Sequence, residues 1–202
     1  MSIYIASNNE GKIKQIASCF PNSKILSIND IEKLLNIKIN IEENGTTFKE
    51  NALIKVKYLS NILSNLIKKD DIIIADDSGI TIPSLPNMLG VYTKRQMKEW
   101  CKKQTSKSTE IDFYNHISQI TPEPKACIFE AVIAIIKNNQ CKTFSSKLQG
   151  TLANKCRGTN GFGFDPIFEY NNKTLAEMTN KEREIINIRS QAIQKLLNDI
   201  KK

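Results

Sequence analysis

The clearest indication of the fold class of this chain is the segment Ile72-Ile73-Ile74-Ala75-Asp76-Asp77-Ser78-Gly79. Its first four residues are apolar and three of them are β-branched, a pattern typical of a strand buried on both faces of a sheet. Open α/β sheets bind ligands at the carboxyl ends of their strands, so the polar residues that follow are expected at a ligand site. Asp76 and Asp77 could hold a divalent cation or supply a general base, although the same residues would also form a plain Asp-Ser-Gly turn.

A second candidate site lies near the N-terminus, where a predicted strand over residues 2–6 leads into a polar loop and then a helix. The amide groups and the positive dipole end of such a helix attract anions, and Lys12 in the first turn adds a full positive charge. The loop is not a Walker A motif, because it lacks the pattern G-x-x-x-x-G-K-[ST]. Ser7, Asn8 and Asn9 could equally do no more than cap the helix.

An acidic loop, Glu42-Glu43-Asn44-Gly45, follows a second strand–helix segment over residues 24–35. Thr47 and Glu50 then have the spacing of a capping box, and apolar residues at helical spacing predict a long amphipathic helix over residues 48–67. Carboxylates before a helix are often only partners of its dipole. Glu42 and Glu43 could also complete a metal site with the two aspartates.

The second half of the chain predicts helices around residues 97–103 and 109–120, followed by an antiparallel hairpin. Its two strands, predicted over residues 126–136 and 141–148, flank Asn138-Asn139, which is typical of a tight turn. The sheet is therefore expected to be mixed rather than purely parallel.

A glycine-rich stretch over residues 158–166 is the third candidate site. Its three glycines allow the backbone to approach a ligand closely, and Phe162 and Phe164 offer aromatic faces for a nucleobase. The alternative is a glycine-rich hairpin whose aromatic residues belong to the core. Beyond it, Thr179 and Glu182 form a second capping-box pattern, which opens a helix predicted to reach Ile200.

The composition narrows the class of protein. The 202 residues fit one large domain or one domain with two lobes, with ordinary hydrophobic (40%) and charged (25%) contents. The net charge of +8 suits an anionic partner such as a nucleic acid or a polyphosphate, but the lysines are spread along the chain and decide nothing alone. Five cysteines without a C-x-x-C pattern indicate neither a zinc site nor a disulfide framework, which fits a reducing cytosol.

The sequence also argues against a targeted or membrane-spanning protein and against a histidine-based triad. The N-terminus lacks the basic and apolar regions of a signal peptide, and no apolar run approaches the length of a membrane span, so a soluble intracellular protein is expected. The single histidine, His116, lies in a polar stretch and is expected at the surface.

Five stretches spread over nearly the whole chain resemble, in order and spacing, the motifs of the inosine triphosphate pyrophosphatases, which hydrolyse non-standard purine nucleoside triphosphates. They correspond to an N-terminal loop, an acidic loop leading into a helix, a central strand with two aspartates, a base-binding loop and the start of a C-terminal segment: residues 6–12, 42–52, 75–79, 161–166 and 176–179. Five matches in order are a far more specific signal than any one of them.

The resemblance implies an α/β fold with one domain over residues 1–202, in which a long central mixed β-sheet is flanked by helices in two lobes with a nucleotide-binding cleft between them. It implies an enzyme that hydrolyses ITP, dITP and XTP to the nucleoside monophosphate and pyrophosphate, with Mg²⁺ as its cofactor, and so cleanses the nucleotide pool. A cytoplasmic homodimer with no membrane association and no stable nucleic-acid partner is expected.

The resemblance also assigns roles to individual residues. Asp77 matches the proton acceptor of the family, and the metal ligands are expected among four carboxylates, Glu43, Asp77, Glu42 and Asp76. The N-terminal loop would hold the triphosphate, one phenylalanine would stack on the base, and Arg183 stands where the family often has a substrate-contacting lysine. The residues expected to contact the substrate are Ser7, Asn8, Asn9, Glu10, Gly11, Lys12, Ser78, Phe162, Gly163, Phe164, Asp165, Arg183, Ile188 and Arg189.

Two departures from the family pattern bear on the choice of base. The chain has Asn187-Ile188-Arg189 where the family commonly has Ser-His-Arg, so the arginine is kept and the imidazole is lost. Ile188 could instead face the core of the last helix together with Ile185, Ala192 and Leu196. The second departure is Thr93-Lys94-Arg95 in place of a bacterial Ser-Ala-Arg after the tyrosine.

Three other functions are compatible with parts of the sequence. A related pyrophosphatase of the same architecture could act on modified pyrimidine triphosphates, and a degenerate relative could bind nucleotides without hydrolysing them. A basic nucleic-acid-binding protein is disfavoured, because carboxylates in a phosphate-binding groove repel nucleic acid unless a metal is present.

Overall fold

The computed structural model describes residues 1–104 and 107–200, which form one seven-stranded sheet with helices. The strand order is β2-β1-β3-β4-β5-β6-β7. The strands are β1 (Ser2–Ile5), β2 (Lys24–Leu26), β3 (Ile72–Thr81), β4 (Ala126–Lys137), β5 (Gln140–Leu152), β6 (Phe168–Tyr170) and β7 (Lys173–Thr174). Strand β1 pairs in parallel with β2 and β3, whereas β6 pairs antiparallel with β5 and β7. The predicted α/β class and mixed sheet are confirmed.

Seven α-helices and two short 3₁₀ helices belong to the described part of the chain. The α-helices are α1 (Glu10–Ala17), α2 (Ile28–Leu35), α3 (Phe48–Ile62), α4 (Thr93–Gln104), α5 (Glu110–Ile120), α6 (Asn180–Ile186) and α7 (Ile188–Ile200), and the 3₁₀ helices are Gly90–Tyr92 and Leu175–Glu177. Within residues 1–104 and 107–200, no helix combines the length and the apolar character that crossing a bilayer requires.

The chain divides into two compact units, each built from segments that are discontinuous in sequence. The first unit comprises Met1–Asp77, Ala131–Ser146 and the segment from Arg189 onward. In its core, apolar residues of β1, β3 and β4 pack against α1 and α7, among them Ile5, Ile74, Ile133, Ile16 and Ile193. Strand β3 therefore has a covered face, as its β-branched run predicts.

The second unit comprises Ser78–Glu130 and Lys147–Ile188. Its core is more aromatic, with Phe113 and Phe168 fully buried and Trp100 packed against Phe113 at a ring distance of 5.9 Å. His116, expected at the surface, is partly buried because its ring stacks on Trp100 at 5.2 Å. The residue is thus held by packing in the second unit.

The Asp-Asp-Ser-Gly stretch lies inside a strand rather than in a turn, so the turn interpretation is wrong. Strand β3 continues through Asp76, Asp77, Ser78 and Gly79 to Thr81. Both aspartates are buried and paired with cations, which makes an acidic strand interior tolerable. Because successive side chains of a strand point to opposite faces, the two carboxylates point to opposite sides of β3.

Two predicted helices have different ends in the structure. Helix α3 ends at Ile62 instead of residue 67, and Leu66 beyond it is exposed. The single C-terminal helix is in fact α6 and α7, because Asn187 has an extended backbone (φ −66°, ψ 101°) between them. Ile185 on α6 is 77% exposed, so it does not share a core face with Ala192 and Leu196.

Candidate active site

The first half of the site surrounds Asp76, a fully buried carboxylate in β3. The ammonium Nζ of Lys12, from the first turn of α1, lies 2.6 Å from Asp76 Oδ2, and Arg189 Nε, from the start of α7, donates to Asp76 Oδ1 at 2.8 Å. Burial raises the pKa of Asp76, but Arg189 and Lys12 outweigh this effect and hold that pKa below its ordinary value. Asp76 is therefore a carboxylate at neutral pH and fixes two cations.

Lys12 and Arg189 are held by further contacts within the first unit. The Asn9 side chain caps α1 by accepting from the backbone N–H of Lys12 at 3.0 Å, and Arg189 Nη1 donates to Gln15 Oε1. The pKa of Lys12 is lowered, mainly by burial. Asp76 therefore faces two cations, Lys12 and Arg189.

The second half of the site surrounds Asp77, on the other side of β3. Lys55 reaches it from α3, with Nζ 3.0 Å from Asp77 Oδ1 and 2.8 Å from Glu43 Oε2 of the acidic loop. Among the described residues, Asp77 Oδ2 is buried and has no hydrogen-bond partner. Burial raises the pKa of Asp77 by more than Lys55 and Lys12 lower it. The arrangement leaves a buried carboxylate oxygen able to accept a proton or bind a cation.

Helix α3 positions Lys55 through its apolar face. The helix begins at the N-cap Thr47, whose side chain accepts from Glu50 N, and it buries Ala52, Val56 and Leu59 completely. Lys55 lies on this buried side of the helix. A buried ammonium group is stable there because two carboxylates, Glu43 and Asp77, compensate its charge. The pKa of Lys55 is raised, because Asp77 and Glu43 outweigh the lowering effect of burial.

The N-terminal loop has the helix-capping contacts that the sequence allowed. Ser7 Oγ accepts from Asn9 N at 3.1 Å, and Asn8 Oδ1 accepts from Asn29 N at 2.8 Å. Glu10 and Gly11 form the first residues of α1, and Glu10 is exposed. These contacts fix the loop beside Lys12, and its role toward a triphosphate stays a prediction.

The glycine-rich loop of the second unit is organised by Asp165. Its Oδ2 accepts from Phe162 N at 2.9 Å and lies 3.4 Å from Nη1 of Arg183. Gly161 has φ +82°, and a Cβ there would lie 1.8 Å from Asp165 Oδ2, so glycine is required at this turn. Gly163, at φ +60°, has open space where its Cβ would be.

The two phenylalanines of this loop have different surroundings. Phe164 packs against Tyr114 and Phe129, with ring distances of 5.1 and 6.0 Å, so it belongs to the core of the second unit. Phe162 is half-buried, and its backbone N–H is held by Asp165. Arg183 Nη2 donates to Asn180 Oδ1 at 2.9 Å, and in the described part of the chain its buried Nε has no partner.

The structure brings together some of the predicted metal ligands and separates others. Glu43 and Asp77 share Lys55, whereas Asp76 lies in the cluster with Lys12 and Arg189, and Glu42 is exposed. No group of three or more His, Cys, Asp or Glu side chains in residues 1–104 and 107–200 is placed to hold a metal. Ser78 follows in β3 and is half-buried, and Ile188 is buried at the start of α7.

The sequence interpretation missed Lys55 and Gln15. Lys55 carried a usable signal, because it is a charged residue within the apolar stripe of α3, one position before Val56 and three after Ala52. A charged side chain on a buried helix face usually has a partner of opposite charge. Gln15 carried no comparable signal, since its contact with Arg189 joins residues 174 positions apart.

Comparisons with known proteins agree with this arrangement of motifs. The model of the Ham1 family matches residues 3–199. The chain is 35% identical to a dITP/XTP pyrophosphatase of Thermoanaerobacter pseudethanolicus, covering 100% of this chain and 98% of the relative, and 34% identical to one of Aliarcobacter butzleri, covering 96% and 95%. The solved structure of the Staphylococcus aureus Ham1 protein matches with a TM-score of 0.78 at 29% identity, covering 100% of this chain and 98% of that one. A HAM1 protein from Coxiella burnetii matches with a TM-score of 0.76 at 25% identity, covering 99% and 98%. The resemblance found in the sequence is thus confirmed, and the chain belongs to the Ham1 family.

Proposed function

We propose that this protein is a nucleoside triphosphate pyrophosphatase that hydrolyses non-standard purine nucleotides, ITP, dITP and XTP, to the nucleoside monophosphate and pyrophosphate. The observation that carries the proposal is the buried, unpartnered Oδ2 of Asp77 beside Glu43 and Lys55. It occurs in a chain that is 35% identical, over its full length, to a dITP/XTP pyrophosphatase.

Glu43 and Asp77 are the residues that fit a divalent cation. Mg²⁺ is usually held by one or two carboxylates, with water and substrate phosphates as the other ligands, so a pair of carboxylates is sufficient. The Oδ2 atom of Asp77 is buried without a hydrogen-bond partner in the described structure, and a bound cation would provide that partner. When bound, Mg²⁺ neutralises phosphate charge and lowers the pKa of a coordinated water.

The cations of the first unit suit the triphosphate. Lys12 lies in the first turn of α1, where the helix dipole also favours negative charge. Lys12 and Arg189 would attract the phosphates, and Asp76, paired with both, would keep the two cations in position.

Asp77 is proposed as the proton acceptor. A water oxygen would form the new bond to the α-phosphorus, its proton would pass to the Asp77 carboxylate, and the bond from the α-phosphorus to the bridging oxygen would break to release pyrophosphate. In the protein without metal, burial raises the pKa of Asp77, so its carboxylate takes up a proton more readily than that of an exposed aspartate.

The loop of the second unit supplies the groups proposed to recognise the base. Phe162 is the better candidate for stacking, because Phe164 is engaged in the core. Arg183 Nε is a buried donor without a partner in the described structure, and a 6-oxo purine presents an acceptor where adenine presents an amino donor.

We also infer a homodimer and a cytoplasmic location, the latter supported by five free thiols.

A product assay tests the proposal. The purified protein is incubated with ITP, dITP, XTP, GTP, ATP or dTTP, with Mg²⁺ or with excess EDTA, and pyrophosphate and orthophosphate are measured separately. We expect pyrophosphate from ITP, dITP and XTP, a slower reaction with GTP, ATP and dTTP, and loss of turnover with EDTA. Orthophosphate as the first product would reject the reaction type, and faster turnover of dTTP would reject the purine preference.

A further inference from the structure

Lys55 uses the same carboxylates that fit the divalent cation. Its ammonium lies 2.8 Å from Glu43 Oε2 and 3.0 Å from Asp77 Oδ1, so it makes a charge-assisted hydrogen bond to each proposed ligand. Mg²⁺ binds oxygens at about 2.0–2.1 Å and requires near-octahedral geometry. An ammonium that holds one oxygen of each carboxylate therefore opposes this cation by its charge and by occupying one of the two oxygens of each ligand, while Asp77 Oδ2 has no partner in the described structure.

The buried position of Lys55 favours its contacts with Glu43 and Asp77. The residue is 6% exposed and lies on the side of α3 that buries Ala52, Val56 and Leu59. A buried ammonium requires partners, because removing the charge from water without compensation is very unfavourable. Lys57 on the same helix is exposed and has no such requirement.

We propose that Lys55 is a resident counter-ion that competes with the divalent metal for Glu43 and Asp77, so that the metal binds the free protein weakly. The inference rests on the metal site of the proposed function and adds a chain residue that sets its affinity. It follows that the Lys55 ammonium lowers the metal affinity through its charge and its hold on one oxygen of each ligand, and that removal of its charge strengthens metal binding in the absence of any nucleotide.

The test is a titration of the full-length protein with Mg²⁺ alone, followed by calorimetry, and with Mn²⁺, followed by electron paramagnetic resonance. The variants are Lys55→Met, which keeps the length and apolar character of the side chain, and Lys57→Met, which removes one exposed positive charge from the same helix. We expect Lys55→Met to bind the metal on the order of tenfold more tightly or better, because a unit charge within a few Å is removed. Lys57→Met should change the affinity by less than about twofold, since exposed charges are screened.

Two further experiments distinguish a failure of this inference from a failure of the proposed function. Adding Glu43→Gln to Lys55→Met should abolish the gain, and a gain that survives would overturn the proposal. In wild type, the ¹⁵N resonance of the Lys55 side chain should shift on adding Mg²⁺, which remains measurable even if Lys55→Met does not fold. An unchanged affinity in Lys55→Met or an unchanged Lys55 resonance overturns the inference. A protein that shows both effects and releases no pyrophosphate would contradict only the proposed function.

Discussion

At the scale of single residues, Asp76 and Asp77 are neighbours with different surroundings. Asp76 lies between two cations and has a lowered pKa, whereas Asp77 has a raised pKa and an oxygen without a partner in the described structure. Strand geometry separates them, because consecutive side chains point to opposite faces. The structure thus favours a structural role for the first aspartate and a chemical role for the second.

Asp77→Asn should leave the protein folded and remove most of its activity. The amide can neither accept the proton nor bind a cation as well, and loss of a general base typically lowers the rate by about 10²–10⁴-fold. The measurement is kcat/KM for ITP together with the circular dichroism spectrum. Asp70→Asn, at an exposed position, is the control and should behave as wild type. Near wild-type turnover of Asp77→Asn would remove this residue from the chemistry.

Asp76→Asn should destabilise the fold and do so in a pH-dependent manner. The change leaves a buried cation, Arg189, and a half-buried one, Lys12, without their carboxylate, which costs about 3–5 kcal/mol at neutral pH. The folded pKa of Asp76 lies below its unfolded value, so its stabilisation is complete above the unfolded pKa and is lost as the pH falls toward the folded one. Urea unfolding of both proteins at pH 7 and pH 3 should show a smaller difference at pH 3. An equal difference at both values would contradict this assignment.

Ile188→His should sharpen discrimination against adenine. An imidazole beside Arg189 adds a hydrogen-bonding group where isoleucine offers only packing, and one buried group left unpaired by the wrong base is worth roughly 1–3 kcal/mol. The measurement is the ratio of kcat/KM for ITP to that for ATP. Ile185→His, at a highly exposed position, is the matched control. An unchanged ratio would show that the buried Ile188 serves the core alone.

At the scale of elements, the hairpin between β4 and β5 depends on its two asparagines. Asn138 and Asn139 have φ values of 49° and 61°, which are those of a tight turn with both central residues left-handed. This confirms the predicted turn. The turn requires positive φ at two consecutive positions, and asparagine tolerates positive φ better than most residues. The hairpin closes two long strands of 12 and 13 residues, so the turn sets their register.

Asn139→Ala should therefore destabilise the protein, whereas Asn139→Gly should be neutral or stabilising. A left-handed conformation costs an ordinary L-residue roughly 1–2 kcal/mol, and glycine has no such penalty. For a chain of this size, each kcal/mol shifts the melting temperature by about 2–4 °C. The melting temperatures of the two variants should then differ in this direction. Equal values would show that the turn relaxes to another conformation.

At the scale of the whole molecule, we expect a homodimer in solution. The expectation comes from the family resemblance. Light scattering coupled to size-exclusion chromatography should give a mass about twice the 22.9 kDa of one chain. A mass of 22.9 kDa that does not change over a hundredfold range of protein concentration would contradict it.

Local sequence patterns were sufficient to predict the fold class, most of the elements and the motifs. Local patterns carried these predictions: the β-branched run before Asp76, the apolar stripe of α3, the paired asparagines of the hairpin and the capping box at Thr179 are each readable within a few residues. The five matched stretches added the family, because their order and spacing are a property of the chain itself. Element ends were less predictable, as α3 and the break at Asn187 show.

The contacts between charged groups depend on the three-dimensional fold and could not be predicted from the order of residues. Arg189 meets Asp76 across 113 positions, and Lys55 meets Asp77 across 22, so neither pair leaves a trace in local periodicity. Asp76 and Asp77 are adjacent in the sequence, but because β3 continues through both, their side chains point to opposite faces. Asp76 contacts Lys12 and Arg189, whereas Asp77 contacts Lys55. Burial then gave the two carboxylates opposite pKa shifts, because desolvation and nearby charges depend on distances that the order of residues does not contain.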